Sequence, residues 1–250
     1  MSPMASVKTR PRISVIIPAY NEEKYIGATL ESVNQAIAEY RKSHGHAVEV
    51  IVVNNNSSDR TEEVARSHGA KVVFEGKNQI SVAMNAGARA AQGEILVISF
   101  ADDHPSLNFL SRTDDAMRSG KYIGGAAKIL WDKQSPWVSF FNALGNGIRG
   151  LLGVSNNLLF TSRETFDKIS GFDERYYAGE DMKFATDLKK QGKREGKKFC
   201  VLTDAYLLKS TRKFDKFGGI TLAFGLVVFL FCPWLVRFKK ACFFWYGGDR

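Results

Sequence analysis

Cysteine is scarce in this chain of 250 residues: Cys200, Cys232 and Cys242 are the only three, all of them late. An odd count at scattered spacing makes neither a disulfide framework nor a zinc site, and points to a reducing compartment. Internal repeats and low-complexity tracts are absent. Met1 to Arg12 is polar and basic and holds no apolar core, so it does not read as a cleaved secretion signal. What is present excludes a disordered chain. Hydrophobic residues make up 44% and aromatics 12%, enough for a sizeable core. The length suits one α/β domain with a small appendage.

The formal net charge is +9, from 35 Lys+Arg against 26 Asp+Glu. The excess is uneven. Eleven Lys/Arg fall between Lys183 and Lys216, against four acids. Such a stretch suits an anionic lipid headgroup or a diphosphate substrate, or a solvated helix face. Nucleic acid is not an expected partner, because aromatics are not interleaved with the charges. The nineteen residues from Gly218 to Val236 carry no charge. As a helix they would reach roughly 28 Å, near the ~30 Å thickness of bilayer hydrocarbon. Gly218, Gly219, Gly225 and Pro233 weaken a straight span, and basic residues on both flanks leave its orientation open. A helix or hairpin lying in the membrane face fits equally well, as does a buried core helix. The expectation is a membrane-associated segment over residues 216–250, at the cytoplasmic face of a membrane, peripheral or integral.

The first hundred residues alternate strand and helix signals. Ile13 to Pro18 is a short β-branched run typical of a buried parallel strand. A helix follows from about Asn21, its face marked by Ile26, Leu30, Val33, Ile37 and Tyr40, with Asn21 as its expected cap. Val48 to Val53 is a second strand. Asp59 and Glu62 resemble a capping box that opens a helix ending at Gly69. Lys71 to Phe74 is a third strand, Ile80 to Ala91 a helix stopped by Gly93, and Glu94 to Phe100 contains the fourth strand. Farther on, Tyr122 to Leu130, Asn157 to Thr161 and Cys200 to Leu208 read as strands. Gly124-Gly125 marks a close approach, and Glu180 to Gln191 is a helix stopped at Gly192.

Four β-then-α units imply a doubly wound, mostly parallel sheet flanked by helices. Ligands of such sheets bind beyond the carboxyl ends of the strands. Pro18 to Glu22, Asn54 to Asp59 and Asp102 to His104 should therefore surround one crevice. That inference needs no motif.

The motifs agree with it. Pro18-Ala19-Tyr20-Asn21-Glu22, then Val52-Val53-Asn54-Asn55-Asn56-Ser57-Ser58-Asp59, then Asn85-Ala86-Gly87, Ala101-Asp102-Asp103, Gly171-Phe172-Asp173-Glu174 and Gly179-Glu180-Asp181 occur in order. Together they resemble glycosyltransferase family 2 over about residues 11–215. The resemblance implies a GT-A fold with a nucleotide-sugar-binding half (11–104) and an acceptor-binding half (105–215). It also implies a nucleotide-sugar donor, a divalent ion (Mn²⁺ or Mg²⁺) and single-displacement transfer with inversion. No second carboxylate stands out as a nucleophile, which agrees with inversion.

Residue roles follow in the same terms. Pro18, Ala19, Tyr20 and Glu22 would meet the nucleotide, although Glu22 also suits the positive end of a helix dipole. Asn54 and Asn55 stand where the family usually has acids. Amides suit a uracil edge better than guanine, so uridine is preferred. Asn85 is grouped with these donor contacts, and Asp59 more plainly caps its helix. Asp102, with Asp103, would hold the ion, which offsets charge building on the leaving diphosphate. The family's Asp-x-Asp pattern is incomplete, because Phe100 occupies the first position. His104 reads as a loop histidine. Asp181, with Glu180 beside it, would be the general base for the acceptor hydroxyl; a carboxylate of ordinary pKa is ionised at neutral pH. Lys209 and Arg212 would reach the diphosphate. The Gln-x-x-Arg-Trp signature of processive synthases is absent, so one sugar per encounter is expected. The acceptor would be a lipid-linked or glycan hydroxyl. The alternatives are transfer to a polyprenyl phosphate, which needs no base, and a non-catalytic nucleotide-sugar-binding module. A nucleotidyltransferase is disfavoured, because Ala19 to Lys24 is no glycine-rich basic loop.

Overall fold

The computed structural model describes residues 10–140, 143, 159–218, 221, 232–242 and 246. Its first half is built as the alternation predicts. β1 (Ile13–Ala19), β2 (Val48–Asn54), β3 (Lys71–Phe74) and β4 (Ile95–Ile98) are separated by α1 (Ile26–His44), α2 (Thr61–Ser67) and α3 (Ile80–Ala90). β1 pairs in parallel with β2 and β4, and β2 with β3. Every residue of β1 is buried, which explains a run without polar alternation. The α1 face of Ile26, Leu30, Val33, Ile37 and Tyr40 is likewise buried, at about 1.5–3 kcal/mol for each large apolar side chain.

The second half adds β5 (Asp103–Pro105), α4 (Phe109–Arg118), β6 (Tyr122–Trp131), β7 (Leu159–Ser162), α5 (Arg163–Lys168), α6 (Glu180–Glu195), β8 (Lys198–Lys209) and α7 (Arg212–Phe217). The sheet order is β3-β2-β1-β4-β7-β6-β8-β5. β7 runs antiparallel to β4 and β6, and β5 antiparallel to β8, whereas β6 and β8 are parallel. The expected mostly parallel sheet is thus parallel through β4 and mixed beyond it. Antiparallel neighbours need no crossover helix, so the β-then-α rhythm stops there. One core cluster joins α1 and α4 to one face of the sheet; the other joins α3 and α6 to the opposite face.

Three local expectations are corrected. Asn21 does not cap α1. It takes a left-handed conformation (φ 52°), and its Oδ1 accepts the Ser58 amide at 2.8 Å, tying together the loops after β1 and β2. The Asp59–Glu62 capping box does not form. Asp59 instead accepts the amides of Thr61 and Glu23, and Glu62 accepts from Asn54 and Arg66. Gly192 does not end α6, which runs on to Glu195 and closes at Gly196 (φ 69°). Gly192 is there because a Cβ would lie 2.7 Å from the Lys197 carbonyl oxygen. The close approach at Gly124-Gly125 is present: Cβ atoms there would lie 2.5 Å from the carbonyl oxygens of Phe160 and Cys200 respectively.

Most of the uncharged stretch from Gly218 to Val236 lies outside the described residues, as does most of 141–158. Among the described residues no helix is long and apolar enough to cross a membrane.

Candidate active site

The carboxyl ends of β1 and β4 carry Glu22 and Asp102, 2% and 7% exposed. The Glu22 amide donates to Thr61 Oγ1 at 2.8 Å, and its carbonyl accepts from Tyr25 and Ile26 in the turn that opens α1. Two nearly buried carboxylates close together need a cation. Arg212 supplies it. Its Nη1 and Nη2 donate to Glu22 Oε2 and Oε1 at 2.6 and 2.8 Å, and its Nε donates to Asp102 Oδ2 at 2.8 Å. The guanidinium lies over the Tyr25 ring, 4.3 Å from its centroid. Burial pulls the Arg212 pKa down, but the hydrogen bond to Glu22 and the charges of Asp102 and Glu22 outweigh it, and the guanidinium is held above its ordinary value.

Arg212 reaches this place through the sheet. β8 pairs with the short β5 that follows Asp102, Lys209 facing Asp103 in register, and the chain then turns into α7 at Arg212. Lys209 Nζ stands 3.7 Å from Asp103 Oδ1 and 4.9 Å from the centroid of the Phe100 ring. Asp103 is wholly buried, and its Oδ2 accepts the Phe100 amide at 3.0 Å. So the residue that replaces the expected first acid is covered by a lysine, and Asp103 braces the turn.

The remaining predicted residues fall into two groups. Pro18 and Ala19 are buried in β1, with Tyr20 half-buried at its end. Asn54 Oδ1 accepts the Ser57 amide, and its Nδ2 donates to Glu62. Asn55 Nδ2 donates to the carbonyls of Glu75 and Lys77, and its Oδ1 accepts the Gln79 amide at 2.9 Å. Both amides therefore shape the loop after β2. Asn85 belongs to the second group. It exchanges two hydrogen bonds of 2.9 Å with the Phe172 backbone and donates to Glu174 Oε1. His104 is bonded to Ser32 on α1.

The second group leads to Glu180 and Asp181, in the first turn of α6. Asp181 Oδ1 accepts the Met182 amide at 2.8 Å, and Glu180 is 5% exposed. Gln79 holds the loop ahead of them, donating to the carbonyls of Glu174 and Tyr176 at 2.6 and 3.0 Å. Two short 3₁₀ turns, Pro233–Arg237 and Lys239–Cys242, pack on the same loop, where the Tyr177 amide donates to the Val236 carbonyl at 2.7 Å. Burial, with the charge of Glu180 adding to it, pushes the Cys242 thiol up to about 11.

The fold and these pairings bear directly on kinship. The family model "Glycosyl transferase family 2" matches residues 14–163, more than half of the chain. The chain belongs to glycosyltransferase family 2. The dolichol-phosphate mannosyltransferase of Pyrococcus furiosus is 28% identical over 168 residues, covering 64% of this family 2 chain and 45% of the archaeal one. Among solved structures, residues 1–349 of S. aureus TarS with UDP-GlcNAc superpose with a TM-score of 0.63 at 18% identity, covering 93% of this chain and 75% of that one. Glucosyl-3-phosphoglycerate synthase of Mycobacterium tuberculosis, bound to Mn²⁺, UDP and phosphoglyceric acid, gives 0.58 at 23% identity, covering 88% and 78%. These two structures share the fold. The chain spans 25–57% of the length of the first curated relatives it matches.

A divalent ion would find a modest ligand set in this family 2 chain. Among the described residues no cluster of three or more His, Cys, Asp or Glu is arranged to hold a metal. Asp103 is turned inward, which leaves Asp102, a hard oxygen donor of the kind that Mg²⁺ and Mn²⁺ take together with substrate phosphates. That fits an ion arriving with its substrate. Sequence reading missed Thr61, Tyr25 and Gln79. None sits in a motif, and their roles arise from loop packing.

Proposed function

We propose that this chain moves a sugar from a nucleotide-sugar donor, UDP-linked by preference, to a hydroxyl of a lipid-linked or glycan acceptor, with inversion. The observation that carries the reading is the Glu22–Arg212–Asp102 bridge across the strand ends of β1 and β4. It concentrates charge where a GT-A fold receives its donor, and its cation is the natural partner of a diphosphate.

Glu22 accepts hydrogen bonds from ribose hydroxyls or base amines, and Asp102 would hold a divalent ion at the donor diphosphate. That ion supplies charge neutralisation for the leaving diphosphate. Arg212, released from Asp102 as the donor enters, and Lys209, beside it on β8, add fixed positive charge at the same place. Asn54 and Asn55 keep the loop after β2 in shape beside the base. Asp181 takes the proton of the acceptor hydroxyl as the anomeric carbon is attacked from the face opposite the diphosphate, and Glu180 sits beside it. The likeness to a dolichol-phosphate mannosyltransferase supports a lipid-linked acceptor. It also favours the second reading, transfer to a polyprenyl phosphate, in which the acceptor is already an anion and Asp181 has no proton to take.

The test is a transfer assay with UDP-, GDP- and dTDP-sugars against hydroxyl-ended lipid saccharides and polyprenyl phosphates. Transfer to a hydroxyl, abolished in Asp181→Asn, supports the first reading; transfer to phosphate alone, unaffected by that change, supports the second. Donor binding without transfer to either would leave a binding module.

A further inference from the structure

We propose that residues 232–242 form a foot that docks on an anionic bilayer surface and sets the acceptor side of the site against it. The two 3₁₀ turns have two unlike sides. Inward, Cys242 is wholly buried and the Val236 carbonyl accepts the Tyr177 amide at 2.7 Å. Just beyond, the Tyr246 hydroxyl accepts the Ile80 amide at 3.2 Å, and its ring meets Tyr177 edge-on at 5.7 Å. Outward, Trp234 and Phe238 are 58% and 59% exposed; of the exposed cations beside them in sequence, Arg237, Lys239 and Lys240, the first two reach over the Tyr176 and Tyr246 rings at 5.5 and 5.3 Å.

The occupant follows from the chemistry of that outer side. Two large rings left in water are costly unless something covers them. No acid occurs in the sequence from Lys216 to Gly248, so the charges the segment itself contributes are of one sign. Two exposed rings on a short segment that also carries three exposed basic residues match the headgroup boundary of a bilayer, where rings enter the interface and amines reach anionic phosphates. The foot is bound to the loop that carries Tyr176 and Tyr177 toward Asp181, and Arg237 lies 5.5 Å from the Tyr176 ring centroid. Docking would bring the base close to acceptors anchored in the membrane. That purpose rests on the lipid-acceptor reading; the docking itself needs no sugar and is measured without one.

The experiment is sedimentation of the full chain with vesicles of phosphatidylcholine alone and of phosphatidylcholine mixed equally with phosphatidylglycerol. The wild type should partition onto the mixed vesicles, weakly onto phosphatidylcholine, and be released by high salt. Lys239→Gln with Lys240→Gln should lower partitioning onto mixed vesicles by roughly 30-fold, at about tenfold or less for each cation. Trp234→Ala with Phe238→Ala should lower it by about tenfold, with circular dichroism unchanged in both. A wild type that ignores anionic vesicles would overturn the proposal and leave a protein partner as the cover for the rings. Variants that bind as the wild type does would overturn it too, moving the attachment to another part of the chain. Because the readout is vesicle binding, a failed transfer assay and a failed docking test are separate results.

Discussion

Arg212 Nε donates to Asp102 Oδ2 at 2.8 Å while the other end of the same guanidinium grips both oxygens of Glu22. Without it, two nearly buried carboxylates would lose the cation they share. Arg212→Ala should therefore lower stability by about 3 kcal/mol, and Arg212→Lys should recover only part of this, since an ammonium cannot make the two-pronged contact. Thermal and urea unfolding of the two variants measure the difference. Equal stability of Arg212→Ala and wild type would mean the bridge is not a structural contact in solution.

The same bridge sets up a competition. A divalent ion must share Asp102 with Arg212, so Arg212→Ala should bind Mn²⁺ more tightly than the wild type, by about tenfold, one pKa unit's worth of energy. The same variant should bind UDP-sugar more weakly, because the diphosphate loses its cation. Titration calorimetry of each ligand separately reads the two signs; ion and donor affinities moving together would contradict this account.

Asn85 should act at a distance from the donor. Its side chain makes three hydrogen bonds to the loop Phe172–Glu174, and it is only 8% exposed. Asn85→Ala leaves buried backbone groups unpaired and should cost about 2 kcal/mol. In transfer kinetics it should lower kcat by loosening the loop ahead of Asp181, with the donor KM little changed. A rise in donor KM at unchanged kcat would instead make Asn85 a donor contact, as the sequence motif suggested.

Cys242 gives the foot a pH dependence. Its thiol is pushed up to about 11 in the folded segment, chiefly by burial, while an exposed cysteine titrates near 8.5. Below about 8.5 both states are protonated and the packing is at full strength. Above it only the released segment ionises, so the packing weakens as pH rises toward 11. Alkylation of Cys242, followed by mass spectrometry, should accelerate over this window more steeply than thiolate formation alone explains. An alkylation rate that follows simple thiol titration would show that the segment is already open.

Sequence reading succeeded where local pattern and fold agree. The four β-then-α units are legible because burial on both sheet faces leaves continuous apolar runs, as in Ile13–Ala19. The meeting of the loops after β1, β2 and β4 is legible because parallel strands all deliver their carboxyl ends to one edge. What was not legible are choices made by partners distant in sequence. Asn21 looked like a cap until Ser58 engaged it. Gly192 looked like a stop, yet it is a contact point with the carbonyl of Lys197. The Arg212–Glu22 pair spans 190 positions, and no spacing rule reaches that far. The β7 reversal was hidden because an apolar run reads the same in either direction.

The most direct test of the account is donor binding at Asp102. Calorimetric titration of UDP-sugar in the presence of Mn²⁺, for the wild type and for Asp102→Asn, should give saturable binding to the first and an affinity at least about tenfold weaker for the second, with the melting temperature raised by donor in the wild type alone. Identical affinity in the two proteins, or no binding of any nucleotide sugar to the wild type, would contradict it.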